Sequence, residues 1–319
     1  MVATAPVVWL CPGQGAQRVG MGKDLAERFP AARDTFLAVD DALGAPLSRL
    51  MFEGPEDQLT ATHNAQPAIL AHTAAVFAVL AAGSSGGGAT PVAAAGHSLG
   101  EYSAYVTAGA LAAPAAARLV RRRGELMQQA GAARPGTMAA VLGLATAQVD
   151  AACREASHNG TVAVAANLNA PDQTVISGDA DAVAAAGAGC KARGAKRVVA
   201  LKVSGAFHSP LMAPAAPALR AALEQAPWRP PAFPVIANAT AEPVREPETA
   251  RRLLAEQLTA PVRWVACMER VVALAGRGAR FIEIGPGAVL AGLLRRIVPE
   301  VSVVSLGSAD EVAKFLATA

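Results

Sequence analysis

Short apolar runs alternate along the chain with longer Ala-rich amphipathic stretches. This is the pattern of an α/β protein with mostly parallel strands. Strands are expected at 6–11, 92–95, 233–237, 281–284 and 301–305. Helices are expected at 22–43, 65–82, 99–109, 115–129, 211–225, 248–258, 262–275, 288–297 and 309–316. The segment 83–91, GSSGGGATP, has the composition of a flexible connection between a helix and a strand. No repeat of fixed period is visible.

One internal stretch has a different rhythm. Strand 138–142, helix 147–156, strand 162–166, a turn at Ala170-Pro171-Asp172, strand 174–177, helix 181–193 and strand 196–202 follow one another. The order βαββαβ is the ferredoxin-like signature. The expected organisation is a large hydrolase-like α/β subdomain with a parallel sheet, from residues 1–133 and 205–319, interrupted by a ferredoxin-like subdomain over 134–204. A cleft between two such units is a usual place for a site.

Composition narrows the function. A formal charge of +3 is a small excess that does not suggest a nucleic-acid binder, whose phosphate contacts would need a basic face. Hydrophobic residues make up 53% and aromatics only 4%, so the apolar mass is mainly aliphatic. The longest membrane candidate, 67–82, contains His72 and Thr73 and falls short of the roughly 20 apolar residues that a span needs. It is expected to be a buried helix. The amino end lacks the basic region of a secretory signal. Cys11, Cys153, Cys190 and Cys267 form no CxxC pair, which points away from a disulfide framework or zinc site and toward a reducing cytoplasm.

The strongest chemical signal is Gly96-His97-Ser98-Leu99-Gly100, between a short apolar strand and an Ala-rich helix. Glycines on both sides allow the sharp turn that lifts the Ser98 hydroxyl out of a sheet as a nucleophile. The Leu99 N–H, at the helix start, then faces the same space, where an oxyanion would develop. Of five histidines, His208 stands out as the general base. It lies in Val203 to Pro210, an irregular stretch after the insert's last strand that can overhang Ser98. His97 should point away and is expected to be structural. The loop Pro12-Gly13-Gln14-Gly15-Ala16-Gln17 fails the GxGxxG dinucleotide pattern because Arg18 stands where the third glycine belongs. Gln14, at a strand's carboxyl end, is placed to bring a second donor to an oxyanion. On the helix at 115–129, Arg118, Arg121, Arg122 and Arg123 form a basic run. One turned inward would need an anion, and an arginine fork matches a carboxylate. Spacing does not choose among them.

Taken together, PGQGAQ at 12–17, GHSLGE at 96–101, RRRGELM at 121–127, GAFHSPLM at 205–212, QLTAPVRW at 257–264 and IGPGAVL at 284–290 resemble malonyl-CoA:acyl carrier protein transacylases. These include the discrete acyltransferases of polyketide synthesis, and the resemblance covers essentially the whole chain. It implies Ser98 as the acylated nucleophile, His208 as its base, and Gln14 with the Leu99 N–H as the oxyanion hole. It further implies Arg123 as the clamp on the malonyl carboxylate, Gln257 orienting His208 through its main-chain carbonyl, and Gln66 lining the pocket. Phe207, in GAFH, is similar to the malonyl-selective members, where methylmalonyl-selective relatives tend to carry YASH. Cys11 stands where many relatives have Phe, which alters wall packing.

The implied mechanism is ping-pong, with malonyl-CoA as substrate, phosphopantetheine carried by the partner acyl carrier protein, and no permanently bound cofactor or metal. A cytoplasmic monomer with no nucleic-acid or membrane partner is implied. Three alternatives compete. One is a trans-acting polyketide synthase acyltransferase using another extender unit. Another is a serine hydrolase or thioesterase acting on acyl-CoA or acyl-carrier protein, with Asp172 or Asp181 as its acid, although no histidine follows His208. The third is an inactive scaffold, which would have no reason to keep Ser98, His208, Gln14 and Arg123 together.

Overall fold

The computed structural model describes residues 5–83 and 91–318. Most of the 83–91 connection and the first four residues lie outside the described residues. The strands are β1 (Val7–Cys11), β2 (Ala93–Gly96), β3 (Thr137–Leu142), β4 (Ala163–Ala170), β5 (Gln173–Gly178), β6 (Arg197–Ala200), β7 (Val235–Ile236), β8 (Pro243–Val244), β9 (Arg280–Ile284) and β10 (Val303–Leu306). They form two sheets. The larger runs β10-β9-β1-β2-β7-β8 and is parallel except for the edge strand β8. The smaller runs β4-β5-β3-β6, is antiparallel throughout, and has the strand order of a ferredoxin-like βαββαβ unit.

The helices are α1 (Lys23–Arg28), α2 (Pro30–Leu43), α3 (Leu47–Glu53), α4 (Glu56–Thr60), α5 (Thr62–Gly83), α6 (Leu99–Thr107), α7 (Ala113–Ala133), α8 (Thr146–Ala156), α9 (Ala180–Ala192), α10 (Ala216–Gln225), α11 (Pro247–Gln257), α12 (Trp264–Ala275), α13 (Val289–Ile297) and α14 (Ala309–Thr318). The single helix expected over 22–43 is two. Phe29 is extended, at φ −121° and ψ 117°, because it precedes Pro30, whose ring disfavours a helical neighbour. The start of the helix expected at 211–225 is instead a 3-10 turn, Pro210–Ala215. Helices α3 and α4 were not visible as apolar periodicity, being short and set off by Pro46 and Pro55.

The central strand β1 is buried on both faces, and its alternation decides what packs where. Val7, Trp9 and Cys11 join the core shared with α5, α6 and α7, while Val8 and Leu10 join the one shared with α12 and α13. Helix α5 has 22 residues, longer than the apolar run at 67–82 suggested, and is long and apolar enough to cross a membrane by length and composition. Most of its residues are buried against protein instead.

His72 lies in the middle of α5, and burial pushes its pKa down to about 4. Unfolded, an ordinary histidine titrates near 6.5. Between those values the unfolded chain binds a proton that the folded one refuses. Stability from this residue is therefore complete above about pH 6.5 and lost as pH falls toward 4, at about 1.4 kcal/mol per pH unit. Denaturant melts of the parent and His72→Leu should show a shallower acid slope in the variant; equal slopes would contradict this.

Candidate active site

The turn between β2 and α6 is built by glycines. A Cβ on Gly96 would lie 1.9 Å from the Gly100 carbonyl, and one on Gly100 would lie 2.1 Å from the Cys11 carbonyl oxygen. Only hydrogen at both positions lets α6 start this close to the strands. Ser98 stands at the apex with φ 52° and ψ −106°, a conformation costing on the order of 1–3 kcal/mol that the surroundings must hold. Asn238, just past β7, supplies that hold. Its Oδ1 accepts from the Ser98 N–H at 2.7 Å and its Nδ2 donates to the Gly96 carbonyl at 2.8 Å. With the Ser98 N–H engaged, the next amide, that of Leu99, is the first of α6 and has no acceptor within the helix.

His208 reaches Ser98 from the other side. It too has a positive φ, 56°, and is buried. Its Nδ1 lies 2.9 Å from the Gln257 main-chain oxygen, which can only accept, so Nδ1 carries the proton. Nε2 is then the acceptor, 2.7 Å from Ser98 Oγ. Burial first, and the Arg123 charge second, push His208 down to about 3, so the ring is neutral at physiological pH.

Of the four arginines on α7, Arg118 and Arg122 are exposed, Arg121 is half-buried, and Arg123 is 1% exposed. Gly124 explains its position, because a Cβ there would meet the α5 backbone at His63 2.6 Å away. That close crossing brings Arg123 against α5. Its Nη1 donates to Gln66 Oε1 at 2.7 Å, and its Nη2 donates to Gln257 Oε1 at 3.0 Å and to Ser98 Oγ at 3.2 Å. Among the described residues every one of these partners is neutral, and Arg123 Nε has no acceptor. A buried guanidinium beside a nucleophile with no carboxylate in contact is arranged to receive one.

The structure thus brings together Ser98, His208, Arg123, Gln66 and Gln257. Gln14 is set slightly apart. Its side chain donates to Thr62 Oγ1 at 3.3 Å, and it lines both a cavity of about 780 Å³ with Thr62, Lys202 and Ser204 and a smaller one of about 190 Å³ with His97 and Asn169. Phe207 is buried in the large core cluster. His97 faces away from the nucleophile: its Nε2 lies 2.8 Å from Asn169 Oδ1, and its ring lies against Trp264. Asn169 comes from β4, which also hooks onto the larger sheet's side through Leu168 N to Val262 O at 2.9 Å and Val262 N to Ala166 O at 2.8 Å.

Among the described residues the acid of a hydrolase-type triad does not appear. Asp172 is exposed and paired with Arg296, and the group behind His208 is a carbonyl, not a carboxylate. Sequence reasoning missed two residues. Glu101 is fully buried, and burial pushes it up to about 7. It accepts from the Asn238 N–H at 2.9 Å and from Gln257 Nε2 at 2.7 Å. Asn238 was findable only as a polar residue just past the carboxyl end of a strand of the larger sheet.

Comparison with known proteins follows the same lines. Residues 8–313 match the family model described as acyl transferase domain. The malonyl CoA-acyl carrier protein transacylase of Bacillus subtilis is 44% identical over 292 residues, 91% of this chain and 90% of its own. An acyl carrier protein S-malonyltransferase from Vibrio cholerae superposes with a TM-score of 0.92 at 40% identity, covering 98% of this chain and all of that one. A malonyl-transacylase solved in complex with its type II PKS acyl-carrier protein gives 0.92 at 40% identity, with 99% and 100% covered.

Proposed function

The chain belongs to the acyl transferase domain family, and on that premise we propose that it moves a malonyl group from malonyl-CoA to the phosphopantetheine thiol of an acyl carrier protein through a malonyl-Ser98 intermediate. The observation that carries the acyl choice is Arg123, a buried cation with only neutral partners, 3.2 Å from Ser98 Oγ. The malonyl carboxylate supplies a counter-charge in direct contact, where Glu101 acts on Arg123 only at one remove, through Gln257.

His208 Nε2 takes the Ser98 proton as Oγ attacks the thioester carbonyl. The resulting oxyanion is received by the Leu99 N–H and Gln14. As the tetrahedral species collapses, the C–S bond breaks and the proton on Nε2 passes to the departing CoA sulfur. Then the carrier's thiol gives its proton to Nε2, attacks the Ser98 ester, and Ser98 leaves with that proton returned. Every proton taken is given back, and the thioester bond broken is matched by the one formed. These steps draw on side chains, the Leu99 N–H and the two thiols, and none of them calls for a permanently bound cofactor. Gln66 fixes Arg123, Gln257 fixes both Arg123 and His208, and Phe207 restricts the pocket to the unbranched malonyl unit.

Four buried, unpaired cysteines fit a cytoplasmic setting. The two separate sheets support a division of the chain into 1–133 with 205–319 and 134–204.

A competition among malonyl-, methylmalonyl- and acetyl-CoA, read by intact mass of the protein and then of an added acyl carrier protein, tests the reading. Malonyl should dominate the adduct and pass to the carrier. Release of CoA into water with no acyl-protein and no acyl-carrier would favour a hydrolase and overturn it.

A further inference from the structure

The buried carboxylate of Glu101 has no hydrogen bond to the Ser98 or His208 side chain, yet it holds Gln257, which contacts both Arg123 and His208, and Asn238, which pins the Ser98 turn. We propose that Glu101 is a positioning residue for malonyl transfer: it holds the Gln257 side chain in the one amide orientation that presents an oxygen to Arg123. The proposal rests on the reading of Arg123 as the malonyl clamp.

A glutamine amide has two ends of nearly equal shape and opposite hydrogen-bonding character. Which end faces Arg123 is decided by the neighbours. With its oxygen toward the guanidinium, Gln257 accepts from Nη2 at 3.0 Å. Turned over, it would set an NH₂ against N–H donors and push the clamp away from Ser98. On its other side Gln257 Nε2 has three acceptors: Glu101 Oε2 at 2.7 Å, the Ser98 main-chain oxygen at 3.0 Å and Asn238 Oδ1 at 3.4 Å. Glu101 offers the shortest contact and the only carboxylate, so it dominates the choice.

The same Oε2 also accepts from the Asn238 main-chain N–H at 2.9 Å, and Asn238 is the residue that pins the Ser98 turn. One oxygen on α6 therefore ties α11 and the end of β7 to the nucleophile's own helix. The other oxygen, Oε1, is buried without a partner among the described residues. Only the acceptor at Oε2 has work in this arrangement. Burying a carboxylate is costly, and a residue needed solely to fill space would not carry one.

The test compares Glu101→Leu, which removes the acceptor, with Glu101→Gln, whose single carbonyl oxygen can occupy the Oε2 place. Malonyl and acetyl transfer to the same acyl carrier protein are measured as kcat and KM in the full-length protein. E101L should lower the malonyl kcat/KM about 10- to 100-fold, chiefly by raising KM. Its acetyl kcat/KM does not use the clamp and should fall less, by what loosening the Asn238 tie to the Ser98 turn costs. E101Q should keep the malonyl-to-acetyl ratio within about threefold of the parent's, even if its melting temperature falls. A merely structural role would lower stability in both variants and leave the ratio alone. If E101L does not fold, Glu101→Met fills the space without a strong acceptor and is read by the same ratio.

A parent-like ratio in the acceptorless variant overturns the proposal, as does an E101Q ratio that falls as far as theirs. If the parent itself shows no preference for malonyl over acetyl, the clamp reading fails rather than this one.

Discussion

Ser98→Ala is expected to show no malonyl adduct by intact mass, and its transfer to the carrier should fall by about 10⁴- to 10⁶-fold. The size follows from what is lost. Without Oγ there is no covalent intermediate, and His208 Nε2, 2.7 Å from the missing oxygen, has no proton to take. What remains is the oxyanion site and the clamp, which can still bind malonyl-CoA but offer nothing to attack it. Malonyl-CoA binding should therefore survive, and calorimetry on the variant should find it within a few fold of the parent's. The fold should survive too, because the hydrogen bonds that hold the turn come from the Ser98 backbone and Gly96, not from the hydroxyl. An adduct on a second residue of the Ser98→Ala protein would place the nucleophile elsewhere.

The parts of this site that were legible from sequence share a cause: their backbone geometry demands particular residues. Gly96 and Gly100 flank Ser98 because any Cβ there would collide with main chain, and that steric demand is written locally. The βαββαβ order is equally local, set by side-chain period and turn residues. The inward arginine was not legible from spacing, and only the family resemblance singled out Arg123. Arg118, Arg121, Arg122 and Arg123 have the same chemistry, and what separates them is a crossing between α7 and α5, permitted at Gly124, that no spacing along α7 reveals. Glu101 was missed for a similar reason. A glutamate in the first turn of a helix is ordinarily a solvated, dipole-favoured residue. Its burial arises only when Asn238 and Gln257, 137 and 156 residues away, are folded onto it. The break at Phe29, by contrast, was available from Pro30 and went unread beneath the apolar periodicity on either side.

Arg123→Ala should separate the two acyl groups more sharply than any other substitution. A carboxylate bound by charge-assisted hydrogen bonds loses about 1.5–3 kcal/mol for each one removed, so the malonyl kcat/KM should fall by roughly 10²- to 10⁴-fold. Acetyl carries no carboxylate and forfeits none of that. Two further effects act on acetyl in opposite directions. Arg123 Nη2 donates to Ser98 Oγ at 3.2 Å, and its removal loosens the nucleophile. The Arg123 charge also depresses His208, second only to burial, so its removal makes the base stronger. These offset one another, and acetyl transfer should stay within about tenfold of the parent's. The same logic gives a sign for the natural substrate. A malonyl carboxylate at Arg123 screens that charge from His208, raising the basicity of the ring at the moment it must accept the Ser98 proton, whereas acetyl leaves the ring depressed. Arg123→Lys should recover only part of the malonyl rate, since an ammonium restores charge but not the guanidinium's planar fork. Parallel losses for malonyl and acetyl in Arg123→Ala would show that the residue supports the fold or the nucleophile alone and does not read the carboxylate.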